Sequence, residues 1–253
     1  MNTPLFIAPS LWNGQLNDYL AALTLLLLII LQFFLRKLSA HHDAKIYSPK
    51  LAWLRALSYY LAAYLVGWSS GVIDTLIETP LIRDEQSGNP LWQVMTALCF
   101  AVILFGYLRI WKVGTFHDNR IYRWWITPWY GIAWGFAQAS IFLSIWAVIE
   151  LSGWPLWITA ITAYFVIGAY NGCWQQFYWD IYVSPPHNEK AFNTRKVLLA
   201  HTPNLLVCLI YLYLFGNLGM YFILQGVALG ISASIMRFPA WFDDYSAEAG
   251  ATR

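Results

Sequence analysis

Charge is scarce in this sequence. Lysine, arginine, aspartate and glutamate make up 11% of its 253 residues, where an ordinary soluble domain carries about 25%. A water-facing surface cannot be built from so few charges, so the soluble globular class is excluded first. Cysteine is also sparse. Cys99, Cys173 and Cys208 each sit inside an apolar run and none forms a CxxC pair, which leaves no disulfide framework and no zinc ribbon. The first 18 residues hold Pro4, Pro9 and Asp18 but no basic n-region, so they do not read as a secretory signal. With a net charge of +2, nothing points to a nucleic-acid partner.

Motifs are missing as well. There is no Walker A loop, no GxSxG elbow and no HExxH helix. No lysine falls within a long apolar run, which excludes a retinal Schiff base of the rhodopsin kind. Histidines do not occur at two depths, which argues against a bis-histidine haem pair stacked across a bilayer.

What is abundant is apolar length. Hydrophobic residues make up 59% of the chain, and 15 tryptophans help to raise the aromatic share to 18%. Many aromatics flank the apolar runs, where an interfacial belt would lie. A membrane-crossing helix needs about 20 mostly apolar residues. Seven segments qualify, at about 19–35, 54–79, 91–110, 125–149, 156–179, 197–215 and 218–236. The expected fold is all-α: one integral membrane domain over 1–253, a bundle of seven transmembrane helices. Gly216-Asn217 makes a short turn between the last two, and Pro155 opens the fifth.

Basic residues set the orientation. Arg36, Lys37, Lys45, Lys50 and Arg55 follow the first span. Arg109, Lys112, Arg120 and Arg123 follow the third, Lys190, Arg195 and Lys196 the fifth, and Arg237 the seventh. Among the opposite loops only Arg83 is basic. The positive-inside rule then puts the N-terminus outside and the C-terminus in the cytoplasm. The expected location is the inner or plasma membrane of a prokaryote.

GxxxG recurs at Gly67–Gly71, Gly131–Gly135, Gly168–Gly172 and Gly226–Gly230. Such pairs let helix backbones approach closely in lipid, within one chain or between chains of a homo- or hetero-oligomer. Asp74, Gln138 and Gln175 each follow three residues after the second glycine of a pair, about two turns from the first.

The polar residues gather between the fifth and sixth spans. Asp180, His187, Glu189, Arg195, Lys196, His201 and Asn204 lie there, and all five histidines fall on the same predicted face. An ionisable group at a span is a functional candidate by default. Asp180 and His201 form the candidate acid/base pair. Asn171, Gln175, Gln176 and Asn204 would orient a substrate, and Arg195 and Lys196 would hold an anionic head. Imidazole and carboxylate also make a ligand set for a divalent metal such as zinc or iron, here His187, His201 and Asp180. The plainer alternatives are a structural pair joining two spans and ordinary positive-inside anchoring.

His201, Asn204 and Cys208 share a helical face, and Pro203 frees a backbone carbonyl near His201. Asp74 and Glu78 form a second polar site, one turn apart, that could share a proton or hold a cation. Two main functions fit. One is a membrane-embedded enzyme acting on a lipid, isoprenoid or other apolar substrate at the cytoplasmic face. The other is a secondary transporter or ion-coupled carrier using Asp74/Glu78 and Asp180/His201. A third reading is a non-catalytic assembly or pigment-binding protein.

Overall fold

The computed structural model describes residues 49–111, 127–174 and 197–235, together with helical residues at 20, 22–27 and 29–30. Its helices are α1 (Pro49–Ser69), α2 (Val72–Glu78), α3 (Asp84–Ser87), α4 (Pro90–Phe105), α5 (Thr127–Glu150), α6 (Leu156–Trp174), α7 (Thr202–Phe215) and α8 (Leu218–Ile235). One turn of π-helix, Gly106–Trp111, continues α4, and another, Val197–His201, leads into α7. No strand occurs among the described residues.

Among the described residues three helices are long and apolar enough to cross a membrane: Pro90–Ile110, Pro128–Glu150 and Leu198–Phe215. A fourth crossing is formed if Ala56–Ser69 and Val72–Glu78 count as one, although they meet at 74°. The bend has a local cause. Gly71 takes a left-handed φ of 73°, which ends the right-handed helix there. The apolar segment 54–79 is therefore two helices and not one straight rod. Leu156–Asn171 and Leu218–Ser234 are apolar but shorter.

The bundle is built around α5. From Ala137 to Ala147 every residue is buried, as befits a helix that is hydrophobic on all sides. Its tightest partner is α8. A Cβ on Gly131 would lie 2.2 Å from the Leu229 carbonyl oxygen, and one on Gly135 would lie 2.3 Å from that of Gln225. Only glycine allows this approach. The pairs Gly131–Gly135 and Gly226–Gly230 are thus two sides of one seam within the chain. Gly67 has a similar role on α1, where a Cβ would fall 2.0 Å from Ser140 Oγ.

Hydroxyls reinforce the α1–α5 contact. Ser140 Oγ donates to the Ala63 carbonyl at 2.9 Å, and the Ser70 and Ser144 hydroxyls lie 2.7 Å apart. Tyr59 stacks on Trp134 with ring centroids 4.4 Å apart. Leucines on the outer faces of α1 and α4 remain exposed, among them Leu57, Leu61, Leu91 and Leu98. Such a continuous apolar exterior suits lipid and not water.

At one end of the bundle a short strap crosses the turn between α7 and α8. Gly216 adopts a left-handed φ of 55° and caps α7. The guanidinium of Arg83 and the amide of Gln86, the latter at 3.2 Å, both donate to the Phe215 carbonyl. Asn217 donates to Leu81 O at 2.9 Å and to Gln86 Oε1 at 2.8 Å, while its own Oδ1 accepts from the Met220 amide at 2.9 Å. Gln86 and Asn217 are each only 1% exposed.

Candidate functional site

Pro203 explains the local geometry at the start of α7. It has no N–H to give to the carbonyl four residues back, so a regular α-turn cannot run through it. The chain enters as a π turn over Val197–His201, with Pro203 in the first turn of α7. A π turn widens the helix by one residue and is frequent at functional positions. The facing turn at Gly106–Trp111 is also π, and the two pack together. A Cβ on Gly106 would sit 3.3 Å from the Cα of Ala200, a tight contact that glycine avoids.

His201 lies inside this junction and is 8% exposed. Tyr107, buried, meets it edge-on, with ring centroids 6.2 Å apart and planes at 84°. The Tyr107 hydroxyl accepts from Asn204 Nδ2 at 3.4 Å, and Asn204 Oδ1 accepts from the Cys208 thiol at 3.4 Å. Cys208 neighbours the Cys99 thiol of α4, which donates to the Val207 carbonyl at 3.7 Å. The shared face of His201, Asn204 and Cys208 is therefore realised, and it is turned toward α4.

That face continues. Tyr211, the next residue of the stripe, accepts from Thr96 Oγ1 at 3.4 Å, and Trp92 lies one turn beyond Thr96. Polar and thiol side chains, interrupted by Ile103, thus recur along the α4–α7 interface from the π turns to the strap at Arg83. The Tyr221 hydroxyl of α8 is buried beside Cys208 without a hydrogen-bond partner. Motif and charge patterns in the sequence do not single out Tyr107 or Cys99 as site residues. The signal that could find them is the spacing of Trp92, Thr96, Cys99, Ile103 and Tyr107, steps of three and four that define one helical face.

No family model matches this chain, and neither a curated protein nor a solved structure does.

The other candidates fall in several places. Asn171 is buried on α6, the helix beside α7. Asp180, His187, Gln175, Gln176, Arg195 and Lys196 lie outside the described residues. Among the described residues no three His, Cys, Asp or Glu side chains gather as a metal site would require. Asp74 and Glu78 lie on α2, beyond the 74° bend.

An apolar groove of about 340 Å³ opens between α6 and α7, lined by Trp157, Tyr164, Phe165, Leu209 and Tyr213 among others. It lies on the opposite face of α7 from His201, because Leu206, Leu209, Ile210 and Tyr213 alternate with the His201–Tyr211 stripe around the helix. A molecule in the groove and a molecule at His201 would be separated by the helix itself.

Proposed function

We propose that this chain is a seven-span membrane protein, N-terminus outside and C-terminus in the cytoplasm, and that it is an enzyme with its centre at His201. The supporting observation is the buried His201–Tyr107–Asn204–Cys208 group between two packed π turns. A buried imidazole in a site of low polarity is suited to take and give a proton at a bound substrate. Asp180 would partner it from the end of the fifth span. Asn204, Asn171, Gln175 and Gln176 would orient the substrate, and Arg195 and Lys196 would hold an anionic head. The substrate class is a lipid, isoprenoid or similar apolar molecule that enters from the bilayer. A divalent metal, zinc or iron, would be held by His201 with Asp180 and His187. An inner or plasma membrane of a prokaryote is the location that fits the basic loops.

The test is a comparison of apolar extracts from membranes containing equal amounts of folded wild type or His201→Ala. A lipid-soluble species that changes with the wild type and not with the variant supports the enzyme. Identical extracts count against it.

A second reading, an ion-coupled carrier, draws on the polar stripe along the α4–α7 interface. Such a stripe is the kind of lining a proton path would use. Proton uptake into liposomes that responds to Asn204→Leu would favour this reading over the enzyme.

A further inference from the structure

The strap end of the α4–α7 stripe carries hydrogen-bond donors and few acceptors. Arg83 gives one guanidinium nitrogen to the Phe215 carbonyl, but its Nε is buried without a partner. Trp92 is 8% exposed, and its buried indole N–H meets no acceptor except the Tyr211 hydroxyl, which it approaches in poor alignment. Between them stands the Tyr211 hydroxyl. It already accepts from Thr96 at 3.4 Å, which leaves its own proton free to be donated.

Topology brings these groups together. Trp92 and Thr96 are one turn apart on α4, and Thr96 touches Tyr211. Phe215, where Arg83 is anchored, is one turn beyond Tyr211 on α7. The indole N–H approaches the Tyr211 hydroxyl as a donor, and the guanidinium acts on it electrostatically. Arg83 forms no ion pair among the described residues, and its neighbours Asp84 and Glu85 are exposed.

A buried donor left unmade costs about 1–3 kcal/mol, more for a charged group. The Nε of the Arg83 cation, the poorly aligned indole N–H and the free proton of the Tyr211 hydroxyl are three donors short of an acceptor. A phosphate or carboxylate oxygen would satisfy all three at once, and arginine is the side chain best suited to hold it.

We propose that Arg83, Trp92 and Tyr211 bind an anionic oxygen, phosphate or carboxylate, at the end of the bundle opposite His201. This is a site separate from the proposed enzyme centre. Its natural source is either a lipid headgroup or a small free anion.

The experiment is thermal unfolding of the full chain in a neutral detergent with four additions: short-chain phosphatidylglycerol, short-chain phosphatidylcholine, inorganic phosphate and octanoate. Wild type is compared with Trp92→Phe, which keeps an aromatic ring and removes the N–H, and with Arg83→Lys, which keeps the charge and loses Nε. Gln86 still caps Phe215 in both variants, so folding is preserved. Saturable stabilisation of the wild type by about 2–4 °C or more is expected from at least one anion and not from phosphatidylcholine. Both variants should lose it. A shift with phosphatidylglycerol alone identifies a lipid headgroup, whereas a shift with phosphate or octanoate identifies a free anion. No shift with any anion, or an equal shift in wild type and both variants, overturns the proposal.

Discussion

The side-chain amide of Asn204 donates to the hydroxyl of Tyr107 at 3.4 Å, tying α7 to the π turn that follows α4. Both residues are buried, and His201 packs against the same tyrosine ring. Tyr107→Phe removes the hydroxyl and keeps the ring. It should cost about 0.5–1.5 kcal/mol of stability while shifting the imidazole signals of His201 in a histidine-labelled spectrum. A spectrum in which His201 does not respond would mean that the two side chains are not neighbours. Tyr107→Ala removes the packing too and should cost about 3–5 kcal/mol.

The α5–α8 seam makes a sharper prediction. A methyl group at Gly135 would overlap the Gln225 carbonyl oxygen, and one at Gly131 would overlap that of Leu229. Gly135→Ala and Gly131→Ala should each destabilise by about 1–3 kcal/mol, the usual penalty for overpacking. Gly88 is the control, because a methyl group there would meet nothing within 4 Å. Gly88→Ala should leave the unfolding temperature unchanged. Equal behaviour of all three variants would count against the seam.

At the strap, Asn217 makes three hydrogen bonds while almost completely buried. Asn217→Ala removes one of two donors to Gln86 Oε1, which keeps the Arg83 amide, takes the side-chain donor from the Leu81 carbonyl and uncaps α8. A loss of about 1–3 kcal/mol is expected, read as a lower unfolding temperature and faster proteolysis within 79–89. Unchanged proteolysis would show that the strap is held by other means.

Metal content tests one branch of the proposed chemistry. Tag-free protein purified in mild detergent should carry about one equivalent of zinc or iron per chain, the loading of a single site, and His201→Ala should lose most of it. No metal in either protein removes the metal and leaves acid/base chemistry at His201.

The all-helical character and the Gly131–Gly135/Gly226–Gly230 seam were legible in the sequence, because apolar length and small-residue spacing are local signals; the same spacing at Gly168 brings no close approach, since a Cβ there would meet only Leu205 at 3.7 Å. So was the face shared by His201, Asn204 and Cys208, since helical spacing alone defines it. What that face meets was not legible. Its partner, Tyr107, lies 97 residues before Asn204, and only packing brings α4 to α7. The break at Gly71 was hidden for another reason. The flanking residues keep an apolar pattern through it, and a left-handed glycine has the same letter as one in a helix. Asn217 reads from the sequence as a turn residue, and nothing in the sequence marks Gln86, although both side chains are buried in the strap.

The proposed centre and the proposed anion site both depend on α4 and α7 facing one another along the polar stripe. Cys99 and Cys208 report on that pairing directly, because their thiols are neighbours at its middle. The measurement is oxidation of the full chain in its membrane with a lipid-soluble copper chelate, in a Cys173→Ser background, followed by mass spectrometry of the linked peptides. The account predicts an intramolecular Cys99–Cys208 disulfide, lost in Cys99→Ser. Efficient oxidation of each cysteine with no link between them, or links only between chains, would contradict it.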